Sequence, residues 1–120
     1  MKYLCLVHLD ESRIAAEDKQ VWAQVGVASG EYDQSLMQSG HFLAAEALQP
    51  PNTAVIVRPK GNDFSTTDGP FAEVKEHIGG FILIEARDLN EAVEIASKTP
   101  MAEMGSVEVR AIHDYRADLP

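Results

Sequence analysis

The densest candidate chemistry lies in the segment TDGPFAEVKE, residues 67–76. Its Asp-Gly pair predicts a turn, and Pro70 makes this turn rigid because the proline ring fixes its own backbone and restricts the residue before it. A rigid backbone that presents convergent carboxylates is typical of general acid–base sites. Asp68 and Glu73 are therefore the candidate catalytic residues.

A simpler interpretation of this segment stays open. It makes residues 67–76 a surface turn, with Phe71 at the edge of the core and the charges in water. The segment nevertheless separates two predicted strands by about ten residues, and long irregular segments in compact domains are disproportionately functional. If it forms a site, Phe71 and Lys75 are candidate substrate-binding residues.

Four other side chains are candidate substrate-binding residues, although a structural or surface role is the commoner explanation for each. Glu46 lies on a short apolar segment, where burial of a carboxylate is costly unless it is paired. Arg58 and Arg110 are candidate partners for a carboxylate or clamps for an acidic ligand. His8 ends the first predicted strand, with Asp10 two residues on.

The sequence predicts neither a tightly bound metal nor another cofactor. Its four histidines show no metal-ligand spacing with each other, with cysteine or with carboxylates. It contains no GxSxG, Walker-type or GxGxxG motif, so no nucleophile elbow or nucleotide site is indicated.

Charge excludes some classes of partner. Ten basic and nineteen acidic side chains give a formal charge of -9, which repels nucleic acid and anionic membrane surfaces alike. The first residues, MKYLCLVH, lack the features of a signal peptide, and no apolar run approaches the roughly 20 residues that span a bilayer. We therefore expect a cytoplasmic protein, with the single cysteine, Cys5, buried as a free thiol.

Hydrophobic patterns predict four main strands, two helices and a hairpin. They are strands at 2–8, 41–48, 78–86 and 106–113, helices over 17–39 and 88–100, and a hairpin of 53–59 and 62–68 around Lys60 and Gly61.

Local signals define several boundaries. Gly40 is a left-handed cap for the first helix, and the glycines at 79–80 indicate a bulge or a close approach. Asp88 is an N-cap with Glu91 in a capping-box pattern, and Pro100 ends the helix. The apolar stripe of this helix comprises Leu89, Ala92, Val93 and Ala96.

The order of elements predicts a single α+β domain, residues 1–120, with a ferredoxin-like βαββαβ arrangement and an inserted hairpin. Two helices cover only one face of such a sheet, yet the strands at 2–8 and 78–86 are apolar on both faces. Because a soluble monomer rarely exposes a large apolar surface, we expect two sheets to pack face to face in a homodimer.

The motif DGPFAEVKE followed by IGGFILIEA resembles the DGPF-motif branch of the YCII-related family. The segments MKYLCLVH, EALQPP, DLNEA and GSVEVR extend the resemblance over nearly the whole chain. Val74 stands where the motif has threonine, and residues 17–39 lack the histidine of shorter relatives. The matching positions are Asp68, Gly69, Pro70, Phe71, Glu73, Lys75 and Glu76.

The resemblance implies a ferredoxin-like fold assembled as a dimeric α+β barrel, with a pocket between sheet and loops. Most members have no assigned reaction, and enzyme activity is suggested by analogy with structurally similar isomerases and monooxygenases. Some members are encoded beside, or fused to, extracytoplasmic-function sigma factors, which makes a sigma factor a candidate partner.

Three functions are compatible with these observations. An enzyme acting on a small organic molecule in the pocket would use Asp68 or Glu73 as acid or base. A noncatalytic ligand-sensing or protein-interaction module linked to sigma-factor regulation is the alternative, consistent with the absence of a nucleophile motif. A purely structural dimer is the third.

Overall fold

The computed structural model describes residues 1–16, 19–70 and 74–120. Its strands are β1 (Lys2–Asp10), β2 (Phe42–Ala47), β3 (Val55–Lys60), β4 (Asp63–Asp68), β5 (Glu76–Glu85) and β6 (Gly105–Ala111). Its helices are α1 (Glu11–Ala16), α2 (Lys19–Gln38) and α3 (Leu89–Ser97). Short 3-10 turns span Pro51–Thr53, Pro100–Met104 and Tyr115–Asp118.

Four strands form one antiparallel sheet in the order β2-β5-β1-β6. This is the strand order of a ferredoxin-like βαββαβ domain, so the predicted fold is confirmed. Strands β3 and β4 pair only with each other and form the inserted hairpin. No helix among the described residues is long and apolar enough to cross a bilayer.

The core lies between one face of the sheet and the helices. Alternate residues of β1 point to this side, and Ile82 and Ile84 of β5 pair with Cys5 and Tyr3 across the ladder. The main cluster comprises Tyr3, Cys5, Leu36, Ile82, Ile84, Ala86, Ala92, Ile95 and Ala96. The other face of the sheet, which we call the open face, carries the half-buried residues Leu4, Leu6, Phe81 and Leu83.

The first helical region differs from its prediction. A short helix, α1, starts at Glu11 directly after β1, because Asp10 accepts hydrogen bonds from the Ser12 amide at 3.0 Å and the Ser12 hydroxyl at 2.7 Å. The predicted start at Glu17 lies outside the described residues. The C-terminal end of this helical region agrees with the prediction, because α2 ends at Gln38 and Gly40, with φ 81, adopts the left-handed conformation of a helix cap.

Two other predictions needed correction. Lys60 pairs with Asp63 inside the hairpin ladder, so the turn lies at Gly61, with φ 61, and the residue after it. On α3, Leu89 and Val93 are 53% and 50% exposed, whereas Ile95 is buried. The buried side of α3 consists of Ala92, Ile95 and Ala96, so the face that packs on the core is rotated toward Ile95 relative to the predicted stripe.

The glycine pair in β5 produces the predicted bulge. Val7 pairs with Gly80 but His8 pairs with Ile78, which leaves Gly79 as the extra residue. A side chain at Gly79 would collide with Leu9. The bulge brings Ile78 beside His8 on the open face.

Candidate active site

Two neighbouring clefts are lined by Pro70 and Val74, two described residues of the motif segment. The first, of about 500 Å³, includes His8, Glu76 and Ile78. The second, of about 640 Å³, includes Glu11 and Lys75. Both share the wall residues Pro50, Pro51, Pro70, Val74 and His77.

Prolines and local hydrogen bonds hold this wall. The Thr53 amide and hydroxyl both donate to the Pro50 carbonyl, at 3.0 and 2.7 Å. At the base of the hairpin, the Gly69 amide donates to the Ala54 carbonyl at 2.8 Å, and Gly69 adopts φ 98, which favours glycine. The wall is therefore built from backbone with little conformational freedom.

A histidine–carboxylate–arginine network lies on the open face at the first cleft. Nε2 of His8 lies 2.9 Å from Oε1 of Glu108, and Nε of Arg110 donates to Oε2 of the same carboxylate at 2.6 Å. The hydrogen bond from Arg110, followed by that from His8, holds the pKa of Glu108 below its usual range. Glu108 is thus kept ionised, and its hydrogen bond with Nε2 orients the His8 imidazole.

This geometry leaves one nitrogen of His8 available for proton transfer. An ionised Glu108 accepts the Nε2 proton, so the neutral ring carries its lone pair on Nδ1. Among the described residues, Nδ1 of His8 has no hydrogen-bond partner. The His8 side chain is 24% exposed, which keeps it accessible from the cleft.

Lys75 connects the motif segment to the end of β1. Its Nζ lies 3.5 Å from Oδ2 of Asp10, and its carbonyl accepts from the Glu11 amide at 3.4 Å. Hydrogen bonds from Ser12 hold the pKa of Asp10 below its usual range although the residue is buried. The Asp10 carboxylate therefore both starts α1 and anchors the motif segment.

His77 and Glu76 complete the polar lining. The His77 side chain is 16% exposed, and its Nδ1 lies 3.8 Å from Oε1 of Glu11. This nitrogen makes no hydrogen bond with any residue that the structure describes. Glu76 accepts a hydrogen bond from the Ser106 hydroxyl at 3.0 Å. Among the described residues, no group of three His, Cys, Asp or Glu side chains converges in a way that could hold a metal.

The structure brings only some of the predicted site residues together. His8 and Arg110 meet through Glu108, and Lys75 lines the second cleft. Asp68 is exposed at the end of β4 and lines neither cleft.

The other predicted site residues lie elsewhere. Arg58 is exposed on the hairpin. Glu46, on β2, borders a different cleft on the helix side of the sheet. Phe71 and Glu73 lie outside the described residues.

Glu108 was not among the candidate site residues predicted from the sequence. Its visible signal was the alternation of Ser106, Glu108 and Arg110 along β6, which places three polar side chains on one face. That this face is the one that carries His8 follows from the β1–β6 register, which no local pattern encodes.

Comparisons with known proteins agree with this fold. The structure resembles that of 5-chloro-2-hydroxyhydroquinone dehydrochlorinase (TftG) from Burkholderia phenoliruptrix AC1100, solved in complex with 2,5-dihydroxybenzoquinone. The TM-score is 0.51 and the match covers 94% of each chain, at 12% sequence identity, so it shows a shared fold.

Sequence comparisons give the family. An uncharacterised protein of Rhizobium meliloti (strain 1021) is 32% identical over 127 residues, covering 100% of this chain and 99% of that protein. The family model of the YCII-related domain matches residues 1–116. The chain therefore belongs to the YCII-related family.

Proposed function

We propose that this protein is an enzyme that transfers a proton within a small organic molecule held in the first cleft, with His8 as the base. The observation that carries this proposal is the 2.9 Å contact between Nε2 of His8, which lines the first cleft, and the ionised carboxylate of Glu108. A carboxylate in this position fixes the tautomer and stabilises the imidazolium that forms when the base takes a proton.

The proposed step is a proton abstraction. Nδ1 of His8 takes a proton from an activated C–H or O–H group, and the positive charge on the ring is balanced by Glu108. The proton then returns to a different atom of the same molecule, so no electrons are lost or gained. Glu73 of the motif is the candidate for the acid that assists this return, whereas Asp68 lines neither cleft and is not assigned this role.

Cleft size and fold similarity support a small ring compound as substrate. A cleft of about 500 Å³ accommodates a single ring with polar substituents, and its proline and aliphatic walls would exclude water from part of it. TftG, which shares the fold, is named for a chlorinated hydroxyhydroquinone and was solved with a dihydroxybenzoquinone. Hydroxylated quinones and hydroquinones are thus the first compounds to test.

The test follows solvent deuterium exchange and isomerisation in a panel of such compounds by proton NMR. We expect the wild-type protein to accelerate one or more of these reactions and His8→Gln to lower the rate by about 10²- to 10⁴-fold, the usual contribution of a general base. His113→Gln is the matched control, because His113 is exposed and pairs with Asp118 outside the cleft. An unchanged rate in His8→Gln would remove His8 from the mechanism.

We also infer that two copies pack through their open faces. Leu4, Leu6, Phe81 and Leu83 form an apolar surface there that the helices do not cover. The chain measures 48 × 46 × 19 Å with a radius of gyration of 16.6 Å, whereas a compact domain of its length has about 14 Å. Packing of two such flat chains would bury the apolar surface and close the first cleft.

A noncatalytic interaction module linked to sigma-factor regulation is the second candidate function. It is favoured by the hairpin, where Val55, Val57 and Phe64 are 54%, 55% and 64% exposed and share one face. Immobilised protein should then retain the sigma factor encoded nearest to its gene, and Phe64→Ser should release it. Equal retention by wild type and Phe64→Ser would reject the hairpin as the binding surface.

A further inference from the structure

A third cleft, of about 220 Å³, lies on the helix side of the sheet. It is bounded by α2, by the edge formed by β2 and β5, and by the Pro100–Met104 turn. Its lining residues include none of those that line the His8 cleft. Val7, whose side chain lies on the helix side, borders this cleft, whereas the next residue, His8, faces the other side of the sheet.

Two buried hydroxyl groups at this cleft lack hydrogen bonds. Oγ of Ser29 and Oγ1 of Thr99 are inaccessible to solvent and have no hydrogen-bond partner in the described part of the chain, and Thr99 as a whole is 6% exposed. Buried hydroxyls in native proteins are nearly always satisfied, so such groups require an explanation. In contrast, the neighbouring Tyr32 hydroxyl donates to the Ile95 carbonyl at 2.6 Å.

A carboxylate without a cation lines the same cleft. Asp33 follows Ser29 by four residues, so the two share one face of α2. Burial raises the pKa of Asp33, and no lysine, arginine or histidine is found among the described residues that line the cleft. Asp33 forms no ion pair with any described residue.

We propose that this cleft binds a small primary ammonium compound with an apolar body, at a site separate from the His8 cleft. The ammonium group would pair with the Asp33 carboxylate. It would also donate hydrogen bonds to the Ser29 and Thr99 hydroxyls once these side chains rotate toward the cleft, which would give both hydroxyls the partner they lack. The apolar body would pack against Ala45, Ile82 and Met101. A carboxylate or phosphate ligand is disfavoured, because it would be repelled by Asp33.

The probe for this site is benzylammonium, compared with benzyl alcohol and benzoate. We expect saturable binding of benzylammonium, with amide NMR shifts concentrated at residues 29–33 and 99–101. Benzyl alcohol, which lacks the charge, should bind at least about tenfold more weakly, since a hydrogen-bonded ion pair is stronger than a neutral hydrogen bond. Benzoate should not bind at this site.

Matched variants test the assigned contacts. Asp33→Asn preserves shape and removes the charge, and it should weaken benzylammonium binding about tenfold or more. Thr99→Val preserves shape and removes one acceptor, and it should weaken binding severalfold. Asp63→Asn, on the exposed hairpin, is the charge control and should leave binding unchanged. If benzylammonium shows no saturable binding, if benzyl alcohol binds equally well, or if the shifts map to the open face, the proposal is wrong.

Discussion

At the scale of residues, His8 shows how a side chain acquires a chemical role from its neighbours. A histidine at a strand end has no special property by itself, and its partner Glu108 lies 100 residues away in sequence. Arg110 donates a hydrogen bond to the second carboxylate oxygen of Glu108, so each oxygen of this carboxylate has a hydrogen-bond partner. Arg110 thus acts through Glu108, as a positioning residue for the proposed base.

The depressed pKa of Glu108 makes an acid-stability prediction. A carboxyl group whose pKa is lower in the folded than in the unfolded chain stabilises the fold above its unfolded pKa, and this contribution is lost as the pH falls through the folded value. Glu108→Gln should therefore destabilise the protein at neutral pH and flatten the decline of stability below about pH 4.5, the ordinary range of glutamate. Thermal unfolding measured across this pH range checks both effects.

The control for this prediction is Glu31→Gln on the exposed side of α2, where no ion pair is formed with a described residue. The Glu31→Gln variant should show the same pH dependence of thermal unfolding as the wild type. If both variants show the same profile, Glu108 contributes nothing to acid stability and its role as an oriented carboxylate loses support.

At the scale of elements, α3 is defined by its N-cap. Oδ1 of Asp88 accepts a hydrogen bond from the Glu91 amide at 2.9 Å, while the Glu91 side chain accepts from the Arg87 amide at 3.0 Å. In a standard capping box the glutamate side chain accepts from the backbone amide of the N-cap residue itself. Here Glu91 accepts from the amide of the residue before the N-cap, Arg87. Because α3 has only nine residues, its stability depends on this cap and on the burial of Ala92, Ile95 and Ala96.

Removal of this cap should be measurable. Asp88→Ala should lower the free energy of unfolding by about 1 kcal/mol, the usual effect of losing an N-cap side chain. Asp88→Asn is the matched variant, because asparagine caps helices about as well as aspartate and should retain most of the stability. Urea denaturation followed by circular dichroism gives both values, and an equal loss in the two variants would attribute the effect to charge instead of capping.

At the scale of the whole molecule, the uncovered sheet face and the exposed hairpin make the chain flat. The hairpin pairs only with itself, and isolated two-stranded hairpins have little stability in water. Its apolar face and the open face of the sheet are both surfaces that a second copy of the chain would bury. These two uncovered surfaces support the proposed homodimer independently of the family resemblance.

The dimer proposal predicts a mass of twice 13.1 kDa in sedimentation equilibrium at micromolar concentration. Leu6→Glu places a charge at the centre of the open face and should shift the protein to monomer, because an unpaired buried charge is costly. Val27→Glu, at a position 64% exposed on α2, is the control and should leave the mass unchanged. A wild-type protein of 13.1 kDa under these conditions would contradict the proposal.

Sequence alone determined those parts of the fold that are encoded by short-range patterns. Apolar residues on both faces of β1 and β5, the glycine at position 40 and the N-cap at Asp88 each act within one element, so they could be recognised from spacing and residue type. The motif segment was also recognisable from residue type, and two of its residues, Pro70 and Lys75, line a cleft.

Tertiary structure decided which side chains meet. The antiparallel register places Leu6 between Phe81 and Glu108, and thereby aligns His8 with the polar face of β6, while Asp68 and Arg58 remain on a projecting hairpin. A shift of one residue in that register would turn Glu108 to the other face of the sheet. Register depends on packing between strands far apart in sequence, which is why the sequence could offer His8 only as a candidate, while the fold shows that its partner is Glu108.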